Sequence, residues 1–160
     1  MTTETASMSG DVPRVVSAER IVRAGPATIF GLIADPRRQP EWDGNDNLRV
    51  AESAERVRAA GDVFLMELTN GQVRENHVVE FTEDRLIAWR PSEVGRTPPG
   101  HLWRWELEPA TGGTLVRHTY DWTALRDEKR EARARATTGD RLRASIDRLA
   151  ALAEAESPVR

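Results

Sequence analysis

The sequence predicts an α+β domain: a curved antiparallel sheet of about seven strands wrapped around one long C-terminal helix, with two short helices after the first strand. Three observations carry that prediction. Between residues 63 and 123 the chain is a series of two-residue alternations separated by turn signals, which is how a meander of strands reads. Beyond it lies one long helical stripe, Leu142, Ile146, Leu149 and Ala153, recurring at i, i+4, i+7 and i+11. Ahead of it, Gly25-Pro26 and Asp35-Pro36 bracket a short helix. A one-sided sheet and a single long apolar helix must cover each other.

Each element follows from local chemistry. Val15 to Ala24 carries β-branched residues among charges and reads as strand. Pro26 suits the first turn of a helix whose apolar face is Ile29, Phe30, Leu32 and Ile33, and Asp35-Pro36 ends it. A second short helix is expected over Arg37–Trp42, closed by Asp43-Gly44. The segment 48–57, placed between a turn and a strand, is read as strand despite its Ala and Glu content. Val63–Thr69 follows, then Asn70-Gly71, whose tolerance of positive φ suits a type I′ hairpin turn. The next strand runs from Val73 to Phe81. After the turn Thr82–Asp84 comes Arg85–Arg90. A loop with Gly95, Pro98, Pro99 and Gly100 leads into His101–Glu108, and Gly112-Gly113 turns the chain into Thr114–Thr123. Thr137 or Thr138 can cap the long helix, with Asp140 favourable in its first turn. The charged stretch 126–135 either extends that helix or forms a solvated loop.

Composition bounds what such a domain can do. The chain has 160 residues, enough for one domain; the expected division is a flexible tail at 1–13 and a single domain at 14–156. Cysteine is absent, which excludes disulfides and thiolate chemistry and makes a cytoplasmic location the expectation. Met1–Gly10 has neither a basic nor an apolar region, so no signal peptide is expected, and no apolar run is long enough for a membrane span. There are 26 acids against 23 bases, a net charge of −3, and the arginines are interleaved with acids, so no nucleic-acid partner is expected. A homodimer is compatible with the sequence, which does not set the oligomeric state. The aromatic set is skewed: five Trp against three Phe and one Tyr.

Alternation then decides which residues look inward. In Thr114–Thr123 one face is Leu115, Arg117, Thr119 and Asp121, and the other is Val116, His118, Tyr120 and Trp122. Unpaired ions in a core cost several kcal/mol, so the second face must point in. By the same reasoning His101, Trp103, Trp105 and Leu107 face inward, as do Phe64, Met66 and Leu68, and His77, Val79 and Phe81. Trp89 is less decided, because neither face of Arg85–Arg90 lacks Arg. Leu142 and Ile146 of the helix stripe supply the opposite wall. A filled core favours Leu, Ile and Val. A face holding His101, Trp103, Trp105, His118, Tyr120 and Trp122, each with a polar atom to satisfy, better suits a pocket that is apolar with a few polar tips.

Gly25-Pro26-Ala27-Thr28-Ile29-Phe30, then Ala34-Asp35-Pro36, then Pro40-Glu41-Trp42-Asp43-Gly44, resembles the opening of the START/SRPBCC superfamily. Leu102–Pro109, followed by Gly113-Thr114-Leu115-Val116 and His118-Thr119-Tyr120-Asp121-Trp122, is similar to the last two strands of its polyketide cyclase/dehydrase-like branch. The similarity covers about residues 15–155. It implies the helix-grip fold of the birch-pollen allergen. It also implies a cavity between sheet and helix that takes up a hydrophobic ligand, with cyclisation or dehydration performed there in a few members.

Three functions follow. The first is binding of a small hydrophobic ligand, aromatic polyketide-like or lipid-like, by the residues named above. The second is a cyclase or dehydratase using His118 or His101 as acid/base with Tyr120 as proton donor or orienter. His77 is a further acid/base candidate, with Glu75 on its face to tune it. The third is an interaction protein whose cavity is vestigial and whose charged segment 126–135 docks a partner. No cofactor and no metal are expected: there is no P-loop, dinucleotide glycine motif or G-x-S-x-G elbow, and the three histidines lie on different strands without ligand spacing.

Overall fold

A computed structural model describes residues 12–51 and 54–157. The predicted tail at 1–13 lies outside them except for Val12 and Pro13. The chain begins with β1 (Val15–Val22), then α1 (Pro26–Ala34), a 3₁₀ turn (Pro36–Arg38) and α2 (Gln39–Trp42). The strands β2 (Leu48–Val50), β3 (Val63–Leu68), β4 (Val73–Thr82), β5 (Leu86–Glu93), β6 (Leu102–Ala110) and β7 (Gly113–Asp121) follow. Two helices close the order, α3 (Glu128–Arg135) and α4 (Gly139–Glu156).

The strands form one seven-stranded antiparallel sheet in the order β1-β7-β6-β5-β4-β3-β2, so β1 returns to lie beside the last strand of the meander. Across its concave face runs α4, which buries Leu142, Ile146, Leu149, Ala150 and Ala153. Burying each large aliphatic side chain contributes about 1.5–3 kcal/mol. Its partners are the inward residues of the strands, among them Phe64, Trp105, Leu107 and Val116, together with Ile29, Phe30, Leu32 and Ile33 of α1. This is the helix-grip arrangement predicted from the stripe and the meander.

Four local expectations need correction. The segment 48–57 is strand only over Leu48–Val50. Farther on, Val57 N–H donates to the Ala34 carbonyl at 2.8 Å, so this backbone completes the C-terminus of α1 instead of joining the sheet. The β3–β4 hairpin sits at Asn70-Gly71, but only Gly71 of the pair has positive φ (89°). With Gly71 N–H bonded to the Leu68 carbonyl, the loop is a three-residue turn closed by a left-handed glycine and not a type I′ turn.

The stretch 126–135 neither extends the long helix nor stays irregular. It forms α3, capped by the Asp127 carboxylate on Lys129 N–H, and a fresh cap, Thr138 on Arg141 N–H, starts α4. The fourth correction concerns β4. His77 pairs with Arg90 and Val78 with Trp89, but Glu80 pairs with Ala88, leaving Val79 as the extra residue of a β-bulge. Beyond the bulge Phe81 points inward, its ring edge-on to Phe30 at 5.5 Å. Before it the inward residues are Asn76 and Val78, 5% and 2% exposed. His77 and Val79 therefore face away from α4. Strict alternation through Phe81 had placed all three together.

The loop after α2 is fastened twice. The Asp43 carboxylate accepts the backbone N–H groups of Asn45, Asn47 and Leu48 at 3.2, 2.6 and 2.8 Å, which folds the loop on itself. Gly44 N–H donates to Ser145 Oγ at 3.0 Å, and Asn45 Nδ2 donates to the Arg141 carbonyl at 3.0 Å, holding the loop on α4. A Cβ on Gly44 would lie 2.4 Å from the Ala144 carbonyl carbon, so this approach requires glycine.

Candidate functional site

The sheet, α3, the first turns of α4 and the 43–48 loop enclose a cavity of about 230 Å³. Its floor is aromatic because of strand register. In β6 and β7, Trp103 lies opposite Tyr120 and Trp105 opposite His118. These two cross-strand rungs bring ring centroids to 4.4 and 3.7 Å, the second pair nearly parallel at 12°. Trp89, opposite Trp103 on β5, continues the layer outward. From the helical side Trp42 meets Trp105 edge-on at 5.1 Å and donates its Nε1–H to the Leu32 carbonyl at 2.8 Å. Aromatic pairs in such geometries contribute about 0.5–1.5 kcal/mol beyond their burial. The wall is rigid.

Polar atoms on that wall divide into two kinds. His118 is buried, and its Nδ1 lies 3.2 Å from the Arg104 carbonyl, an acceptor that fixes the proton on Nδ1. By contrast, His101 Nδ1 and Trp105 Nε1 are buried with no hydrogen-bond partner among the described residues. The Asn76 amide and the Tyr120 hydroxyl, both lining the cavity, also make no side-chain hydrogen bond among the described residues. An unmet buried polar atom costs about 1–3 kcal/mol; two of the three such atoms among the described residues are on this wall, and the third, Trp122 Nε1, lies in the cluster beside it.

Burial sets the protonation of these groups. It pushes His118 down to about 3, against the smaller raising effect of the Arg104 carbonyl. His101 is pushed down to about 4, first by burial and then by the charges of Arg130, Arg74, Arg90 and Arg133. Tyr120 is pushed up to about 12, again by burial. At neutral pH both imidazoles are uncharged and weakly basic, and the phenol keeps its proton. A general acid or base works best with a pKa near the working pH, so these groups suit hydrogen bonding better than proton transfer.

The structure brings Met66, Leu68, Trp89, His101, Trp103, Trp105, His118, Tyr120 and Leu142 to the cavity. Phe64, Val116 and Ile146 sit in the packed core beneath it, with Phe81 against that core. Trp122 belongs to a neighbouring cluster with Leu125 and Ala134, covered by the Arg14 guanidinium 4.3 Å from its ring. His77 and Val79 are on the other side of the sheet. There His77 Nε2 lies 3.1 Å from Glu75 Oε1 and 3.3 Å from Ser92 Oγ. Both partners meet the same ring nitrogen, so this trio cannot relay a proton from serine to carboxylate through the ring.

Sequence reasoning missed the polar half of the lining: Gln39, Asp43, Asn45 and Asn47 on the helical side, Arg74 and Asn76 on β4, and Arg130, Arg133 and Thr137 on and after α3. The α3 signal was present, since Arg130, Arg133 and Thr137 recur at i, i+3 and i+7 on one face. Interleaved acids gave that segment the look of a solvated helix. No helix among the described residues is long and apolar enough to cross a membrane.

A family model described as polyketide cyclase / dehydrase and lipid transport matches residues 13–154. The uncharacterised protein Rv0088 of Mycobacterium tuberculosis is 32% identical over 116 residues, covering 70% of this chain and 49% of that protein. The chain thus spans about half the length of the curated relatives it matches. Among solved structures, protein CV1439 from Chromobacterium violaceum superposes with a TM-score of 0.63 at 19% identity, covering 89% of this chain and 99% of that one. DynU16, from the dynemicin biosynthetic locus, gives 0.64 at 19% identity, covering 93% of this chain and 50% of that one. At these identities the likeness is one of fold.

Proposed function

The chain belongs to the polyketide cyclase/dehydrase and lipid transport family, and from that premise we propose that it binds a small aromatic or lipid-like molecule in the cavity and holds it without transforming it. The observation that carries this is the aromatic floor with its unpartnered polar atoms, His101 Nδ1 and Trp105 Nε1. Such a surface gains by receiving an apolar body and satisfies its donors with the ligand's own oxygens. At about 230 Å³ the cavity is smaller than the roughly 300–1,000 Å³ of drug-sized sites, so the enclosed part of the ligand is one or two rings or a short chain.

Trp42, Trp89, Trp103 and Trp105 all line the cavity, which makes intrinsic fluorescence the direct test. Titration with a panel of bicyclic aromatics and medium-chain fatty compounds is expected to give saturable quenching, reduced in amplitude by Trp105→Phe. No change in emission across the panel would overturn the binding function.

A cyclase or dehydratase acting through His118, His101 and Tyr120 is the second reading. It is favoured by the unpartnered Nδ1 of His101 beside Tyr120, whose ring centroids are 6.0 Å apart. The depressed imidazoles weigh against it. Turnover of a poly-β-ketone probe, lost in His101→Ala and His118→Ala but not in His77→Ala, would establish the enzyme and displace the first reading.

A further inference from the structure

The cavity rim is lopsided in charge. Arg74 of β4, Arg130 and Arg133 of α3, and Arg141 in the first turn of α4 all line it, against a single lining carboxylate, Asp43. Asp43 is occupied by the backbone of its own loop. Arg130 pairs with Asp127 at 3.1 Å and more distantly with Glu93 at 3.9 Å. Arg74 reaches only Gln72 Oε1, at 2.9 Å. Among the described residues, no carboxylate lies within ion-pair distance of Arg74, Arg133 or Arg141.

These cations feel one another. Burial and the charges of Arg130 and Arg133 hold the Arg74 guanidinium below its ordinary value, with a smaller opposing effect from Glu93, its register partner on β5. Bringing like charges together around an apolar hollow costs stability, and covering the hollow would need only Leu or Ala at these positions. A cleft lined by one sign of charge concentrates ligands of the other. Guanidinium groups match the geometry of carboxylate and phosphate oxygens in particular.

We propose that the ligand carries an anionic oxyacid group, carboxylate or phosphate, seated at the rim on Arg74, Arg133 and Arg141, while its apolar body lies on Trp103 and Trp105. This rests on the cavity being a ligand site, as argued above, and adds the ligand's charge and orientation.

The test is a fluorescence titration of the whole chain with three probes of one ring system: 2-naphthoate, 2-naphthyl phosphate and 2-naphthylmethanol. One or both anions are expected to bind about tenfold or more tighter than the alcohol, as hydrogen bonds to charged groups allow. The tighter anion identifies the head group. Arg133→Gln combined with Arg74→Gln should remove most of the anions' advantage over the alcohol measured in the same variant, Arg141 keeping a remainder. Arg74→Lys with Arg133→Gln, which keeps a charge on β4, gives an intermediate value should the first pair fold poorly. Equal binding of all three probes by the unaltered chain would overturn the anionic rim and leave the binding function standing. Failure of all three to bind would overturn both. An anion preference undiminished in the variants would overturn the assignment to these arginines.

Discussion

His118 shows how one side chain ties the fold to its conditions. Folded, it is held at about 3 and His101 at about 4, against 6.5 for a free histidine, because burial penalises the charged ring. The unfolded chain therefore takes up protons first as pH falls. The two rings' share of stability is fully present well above about pH 6.5 and is lost as pH falls, down to about 4 for His101 and about 3 for His118, at up to about 1.4 kcal/mol per pH unit for each ring. Urea denaturation at pH 7, 6, 5 and 4.5 should show that slope, and His118→Asn should remove one ring's share of it. An unchanged slope in the variant would mean that His118 is not held neutral. This residue was legible in the sequence, because its alternates on β7 include Arg117 and Asp121 and only one face could be buried. The inward place of Arg74 was not, since the same argument rejects a charged residue from any buried face. It fails where the face borders a rim open to water.

At the level of elements, the loop between α2 and β2 closes one side of the cavity, beside α3 and α4. It is pinned by Asp43 to itself and by Gly44 to α4, where the backbone contact leaves no room for a methyl group. Gly44→Ala should cost about 1–3 kcal/mol, the usual penalty for overpacking, because the atoms it meets are backbone and cannot rotate aside. Chemical denaturation measures this, with Gly31→Ala as control, since a Cβ there meets nothing within 4 Å. A loss no larger than the control's would show that the loop moves freely off the helix. Most elements could be read from sequence because turn residues and periodicity agree: Pro26 opens α1, and the Leu142–Ala153 stripe fixes the buried face of α4. The split between α3 and α4 escaped for a physical reason. Thr137 and Thr138 are each compatible with a cap or a helix interior, and it is tertiary packing, with Ala134 in one cluster with Trp122, Leu125 and Leu142, that holds α3 beside the cavity. The bulge in β4 escaped too, because Val78-Val79 offers two equivalent side chains and no turn residue to mark the irregularity.

For the molecule as a whole, charge and function are distributed unevenly. The net charge is −3, yet four arginines line the mouth of the cavity against one carboxylate. Ligand at about one hundred times its Kd should add about 2.7 kcal/mol to stability, roughly 5–10 °C in Tm for a chain of this size. For 2-naphthoate that gain should shrink between 0.05 and about 0.5 M NaCl as screening shortens the reach of the arginines; for 2-naphthylmethanol it should not. Differential scanning fluorimetry with both probes separates the two outcomes. The extra residue in β4 has one more consequence, genetic in kind. On either side of Val79 the inward positions already keep step with their partners on β5, so an in-frame loss of that codon would straighten the strand and leave Arg74, Asn76, Val78 and Phe81 on the face they occupy now. The sheet could thus shed a residue through its middle and keep its cavity.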